Sequence, residues 1–214
     1  MKRILFQGDS ITDCSRNRES FVSHGTGYAF LVRGQLYAEN PGTYETINRG
    51  ISGNRIVDVY ARIKKDIINL KPDYMSILIG VNDVWHEIGS QNGVDAEKFE
   101  MIYDMLISEV KEALPDIKIM IMEPFVLPGS ATVNTEEHPA RWDFFSSEVP
   151  LRAAAAKRIA EKHGLKFIPL QNIFDKAYSS LAENDYWLSD GVHPTAAGHT
   201  LIKNAWLKAF GEMK

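Results

Sequence analysis

A serine ten residues from the amino terminus stands in ILFQGDSITD, where an apolar run breaks into Gly8, Asp9 and Ser10. Alone, an acid and a serine after glycine have the composition of a turn or a helix cap. Three further stretches change that reading. NRGISGN supplies Gly50 and Gly53, IGVND supplies Asn82, and DGVHP supplies Asp190 and His193. Acyl transfer calls for these residue types. A serine hydroxyl is a poor nucleophile until an imidazole can take its proton, and the imidazole needs a carboxylate to fix its tautomer. Asp190 and His193 are three apart, so within one turn their side chains can meet. Pro194 restricts the backbone of His193 and opens the element after it. The oxyanion of a tetrahedral intermediate needs donors, for which the candidates are the Ser10 N–H, the Gly53 N–H and the Asn82 amide.

These residues need a scaffold that brings them to one edge. Short apolar runs predict strands over 3–7, 44–48, 74–79, 118–122 and 166–169. Between them lie helical patterns. Ile56, Val59, Tyr60, Ile63 and Ile67 step by three or four, predicting a helix that ends near Lys71 and Pro72. Other helices are expected over 27–39, 96–114, 149–163 and 196–210, the last carrying Leu201, Ala205 and Ala209 beside Ile202, Trp206 and Phe210 and packing on the sheet. Strand alternating with helix implies a mainly parallel, doubly wound five-stranded sheet with helices on both faces. In such sheets the working crevice lies beyond the carboxyl ends of the strands, which is where Ser10, Gly53 and Asn82 fall. The stretch 123–141, with three prolines, reads as a surface loop or lid. No second domain is expected, so 1–214 reads as one domain.

Composition narrows the function classes. The chain has 214 residues, 44% hydrophobic and 24% charged, ordinary for a globular domain, and its formal charge of −4 gives no global field for nucleic acid or anionic lipid. The one cysteine, Cys14, allows no intrachain disulfide. With no secretory h-region and no run long enough to span a membrane, the expected location is the cytoplasm. Six histidines carry no HExxH or Cys/His cluster, so neither a metal nor another cofactor is expected, and no glycine-rich phosphate loop is present. Trp85 and Trp187 flank the site in sequence and offer flat faces to a sugar ring, with core packing as the alternative. Asp9 joins them as a candidate substrate contact, with hydrogen bonding inside its own loop as the alternative. Asp13 and Asp83 read as structural, His199 as a packing or helix-surface residue, and Arg55 and Arg62 as a solvated helix face, with contact to a substrate or a subunit neighbour as the alternative.

The four blocks GDSIT, NRGISGN, GVND and DGVHP stand in the order that defines the SGNH hydrolases, and the chain resembles a GDSL-type esterase of that family, with Ile11 where the family name has leucine. The resemblance implies Ser10 as nucleophile, Asp190 and His193 as its partners, and Ser10, Gly53 and Asn82 as the oxyanion hole. It also implies a three-layer α/β/α sandwich of flavodoxin-like type. Outside the blocks, GDSITDCSR, GTGYAFLV, NRGISGNRIVDVYAR and KPDYMSILIGVNDVW are similar to the intracellular acetylxylan esterases of bacteria. That similarity implies removal of acetyl groups from xylo-oligosaccharides or other O-acetylated sugars, and a homo-oligomer. A lysophospholipase or thioesterase using the same residues is the rival enzyme, and a carbohydrate-binding module without catalysis is the rival of another class.

Overall fold

The computed structural model describes residues 1–181, 183 and 185–213. Five strands, β1 (Lys2–Gly8), β2 (Tyr44–Asn48), β3 (Tyr74–Leu78), β4 (Lys118–Met122) and β5 (Lys166–Ile168), pair in parallel in the order β2-β1-β3-β4-β5. This is the doubly wound arrangement expected of the sequence. The strands read as continuous apolar runs because both faces are covered. Ile4, Phe6, Met120 and Met122 face one core, while Leu5, Met75, Ile77 and Ile121 face the other, as the two-residue period of a strand requires.

The first core is closed by α2 (Tyr28–Glu39) and α9 (Ala196–Gly211). Trp206, fully buried, lies 5.4 Å from the Phe6 ring, so the final helix does pack on the sheet. The second core is closed by α3 (Ile56–Ala61), α6 (Ala96–Ala113) and α7 (Arg141–His163). In α6 the Asp95 side chain accepts the Lys98 N–H and starts the helix, and Phe99, Tyr103, Leu106 and Val110 form its buried stripe.

The structure departs from the sequence expectations in four places. The helix expected from Ile56 onward breaks at Arg62, whose φ of −112° and ψ of 17° are not helical; α4 (Ile63–Asp66) and a short 3₁₀ turn (Ile68–Leu70) follow. The break accompanies an inward guanidinium that donates to Asn54 Oδ1, to the carbonyl of Arg49 and to Asp66. Second, α7 begins eight residues before Val149 and carries Pro150 inside it, because Phe145 and Val149 on its first turns are buried in the core. Third, α5 (Val81–Ser90) and α8 (Gln171–Ser180) were not foreseen, although Val81, Val84, Trp85 and Ile88 carry a helical spacing. A single turn, α1 (Ser10–Asp13), follows β1 directly.

The fourth departure concerns the proline-rich stretch, whose first half is not a lid. Phe125, Val126, Leu127 and Thr132 are buried, and the chain runs against the turn that carries Asp190. Leu127 N–H donates to the carbonyl of Gly191, and Ala131 N–H to that of Asp190, both at 2.9 Å. Gly129 sits so close that a Cβ there would lie 2.3 Å from the Asp190 carbonyl carbon. The stretch is a buttress. Among the described residues no helix is long and apolar enough to cross a membrane.

Candidate active site

β1 lies between β2 and β3, so the chain leaves β1 first to one side and then to the other, and a crevice opens where the connections diverge. Ser10 stands there, at the first position of α1. Its turn is fixed by Asp9, whose Oδ1 accepts the Ile11 N–H at 3.0 Å. Asp9 is 1% exposed, and burial pushes its carboxyl up to about 7. Its side chain hydrogen-bonds within its own loop, the alternative to a substrate contact read from the sequence.

The opposite wall comes from a late turn. Ser189 N–H donates to the carbonyl of His193 at 2.7 Å, and Thr195 N–H to that of Trp187 at 3.1 Å, closing a narrow loop that presents Asp190 and His193. Ser10 Oγ is 2.8 Å from His193 Nε2, and His193 Nδ1 is 2.7 Å from Asp190 Oδ2. An ionised carboxylate only accepts, so Nδ1 carries the ring proton and the Nε2 lone pair is left for the serine hydroxyl. Burial alone would raise the Asp190 carboxyl, but hydrogen bonds from the His193 ring and from the backbone N–H groups of His193 and Val192 outweigh it, and its pKa lies below the ordinary value. The Asp190 hydrogen bond in turn raises His193, against burial. The arrangement can take a proton from a serine hydroxyl and hold the resulting imidazolium.

The loop after β2 lines the cavity through Ser52, and Asn54 of the same loop is tied to Asn82, which follows β3. Asn82 lies in the first turn of α5, and one N–H of its amide donates to the carbonyl of Asn54 at 3.1 Å. That bond fixes which end of the amide is nitrogen and leaves its second N–H available. Gly53, next to Asn54, has φ of +82°, a left-handed conformation that side chains disfavour. Asp83, also buried, accepts the Ile56 N–H at 3.0 Å and so ties α5 to the start of α3; burial pushes it up to about 7. Asp83 is structural, as read from the sequence.

The remaining candidates divide. The Trp85 ring is 5.8 Å from that of His193 and meets Phe145 edge-on, so it both packs and borders the imidazole. Trp187 packs within its own turn: its indole N–H donates to the Leu181 carbonyl and its ring meets Tyr186 at 4.8 Å. Arg55 and Arg62 do not lie on a solvated face. Their side chains are only 16% and 12% exposed, and Arg55 pairs with Asp58 to cap α3. Sequence reasoning passed over Arg16, Arg18 and Ser52, which line a cavity of about 570 Å³ together with Ser10 and His193. It also missed that His199, nearly buried, accepts the Tyr28 N–H at Nδ1 and turns Nε2 to Cys14 Sγ at 3.3 Å. Burial pushes His199 down to about 4, so it stays neutral beside the site. Among the described residues no group of three His, Cys, Asp or Glu side chains could hold a metal.

Residues 6–201 match the GDSL-like Lipase/Acylhydrolase family. The chain belongs to this family. As a GDSL-like acylhydrolase it is a carboxylic ester hydrolase. It is 35% identical to an acetylxylan esterase of Geobacillus stearothermophilus over 98% of this chain and 94% of the relative. The crystal structure of Axe2, an acetylxylan esterase from that organism, superposes with a TM-score of 0.83 at 34% identity, covering 98% and 94% of the two chains. The structure of a Parabacteroides merdae protein of the GDSL-like lipase type superposes with a TM-score of 0.89 at 35% identity, covering 98% and 95%. The three-layer α/β/α sandwich of these GDSL-like structures is the fold of this one.

Proposed function

We propose that this GDSL-like acylhydrolase removes acetyl groups from O-acetylated sugars, xylo-oligosaccharides first among them, with Ser10 as nucleophile. The observation that carries the reading is the continuous hydrogen-bonded chain from Ser10 Oγ through His193 to Asp190. The likeness to an acetylxylan esterase supports the substrate class.

In the first half-reaction His193 Nε2 takes the hydroxyl proton as Ser10 Oγ attacks the ester carbonyl. Charge gathers on the carbonyl oxygen, to which the Ser10 N–H, the Gly53 N–H and the free N–H of Asn82 are assigned. The imidazolium then gives its proton to the departing sugar oxygen, leaving acetyl on Ser10. Water enters, His193 takes its proton, and the second tetrahedral intermediate releases acetate and restores the serine. Asp190, held below the ordinary carboxylate range, stays ionised throughout.

Ping-pong kinetics and acetate release from acetylated xylo-oligosaccharides are expected. Replacing Ser10→Ala lowers turnover by roughly 10⁴-fold or more while circular dichroism stays unchanged. Undiminished activity of that variant overturns the mechanism, and a preference for eight-carbon over acetyl esters turns the reading to a lipid hydrolase. The same reading includes a cytoplasmic homo-oligomer, supported by the resemblance to intracellular esterases and the single cysteine. Light scattering on the purified protein measures the oligomeric state.

A further inference from the structure

The cavity that holds Ser10 and His193 also reaches Arg16 and Arg18. Acetyl is small, so most of a space of about 570 Å³ must take the alcohol side of an ester, and its charge bears on which alcohol fits.

Two consecutive left-handed residues, Cys14 at φ 39° and Ser15 at φ 61°, turn the chain back after α1 and deliver Arg16 beneath the crevice. Arg16 is 7% exposed. Its Nε donates to the Gly50 carbonyl at 2.9 Å, and its Nη1 is buried without a hydrogen-bond partner among the described residues. The nearby carboxylates are already engaged. Asp13 takes Arg18 through Nε at 3.0 Å and through Nη2 at 2.5 Å, so that Nη1 is the arm of Arg18 left for a ligand, and it also accepts the Ser52 N–H at 2.9 Å and the Arg16 N–H, while Asp66 is shared by Arg49 and Arg62. A chain of net charge −4 thus gathers an excess of guanidinium beside its nucleophile. A buried guanidinium N–H without an acceptor is costly, and an anion is the acceptor that a cationic donor favours most.

We propose that this cavity recognises a carboxylate on the alcohol portion of the substrate, as a uronic acid unit carries, through Arg16 and Arg18. The inference deepens the sugar-ester reading and rests on it. The acidic sugar sits on the Arg16 and Arg18 side of Ser10 while its ester carbonyl lies toward Asn82.

Titration calorimetry of the wild-type protein with glucuronate and with glucose tests the assignment without any turnover, so it is separate from the acetate-release assay. Glucuronate is expected to bind roughly tenfold or more tighter than glucose, the scale of a charge-assisted hydrogen bond. In Arg18→Gln that preference falls to within about twofold, and in Arg18→Lys, which keeps the charge and loses the fork, it is intermediate. Raising salt weakens glucuronate and not glucose. Equal binding of the two sugars by the wild-type protein overturns the proposal, as does an undiminished preference in Arg18→Gln.

Discussion

Asp190 holds His193 at two points: Oδ2 meets the ring at Nδ1 at 2.7 Å, and Oδ1 accepts the backbone N–H of the same residue at 2.8 Å. One carboxylate therefore sets both the position of the imidazole and its tautomer. Replacing Asp190→Asn is expected to lower kcat by about 10³–10⁴-fold, because the amide nitrogen offers the ring a donor where it needs an acceptor.

The same pair sets the acid limb of the pH profile. His193 must be neutral to accept the serine proton, and its pKa is raised above the ordinary 6.5 by Asp190. Activity, measured as kcat/KM against pH, should fall as pH drops through a midpoint above 6.5, and the residual activity of Asp190→Asn should show a lower midpoint.

Asn82 offers a test of the oxyanion site. Its amide is anchored on Asn54 and so is in place before substrate arrives. The change Asn82→Ala should lower kcat by roughly 100-fold to 1000-fold with little effect on KM, since the donor works on charge that develops only in the transition state. Steady-state kinetics on a chromogenic acetate ester checks it; a change confined to KM would contradict the assignment.

Asp9 gives a stability prediction with a definite sign. Burial raises its folded pKa from 3.8 to about 7, so the folded state binds the proton more tightly than the unfolded chain. The contribution is fully present below pH 3.8 and is lost as pH rises through about 7. In Asp9→Asn, which keeps an oxygen to accept the Ile11 N–H, the melting temperature relative to wild type should therefore rise between those limits and level off above them. Calorimetry across that window reads the difference.

Gly129 links the proline-rich buttress to the reacting groups. A methyl group there would meet the backbone of Asp190 and Gly191 at 2.2 to 2.5 Å, and backbone cannot yield as a flexible side chain can. Gly129→Ala should displace the Asp190 turn and lower kcat at least about tenfold while the sheet folds, a pattern that misplacement of a catalytic group produces. Far-ultraviolet circular dichroism beside kinetics separates this from unfolding.

The strands and the proposed reacting residues were readable because each carries a local signature. Doubly covered strands are apolar runs, and Ser10, Asn82 and the Asp190 and His193 pair sit at the openings such a sheet creates. What escaped depends on where a side chain goes rather than on its period. The apolar steps from Ile56 to Ile67 continue across the break at Arg62, and nothing in them announces an arginine drawn inward to Arg49 and Asp66. The helix expected from Val149 begins instead at Arg141, and α7 runs through Pro150 because Phe145 and Val149 are worth burying. Prolines marked 123–141 as surface, while its apolar residues Phe125, Val126 and Leu127 were the better guide. Arg16 and Arg18 escaped because two left-handed residues redirect the chain, and Cys14 and Ser15 are not residues that advertise such a turn.

Ser10 and His193 are 183 positions apart, and the turn that holds His193 is clasped by residues from both the proline-rich stretch and the start of α9. A chain lacking this turn would keep the whole Ser10 turn with no imidazole beside it, so the proposed ester cleavage depends on the docking of α9, whose first residues close the His193 turn.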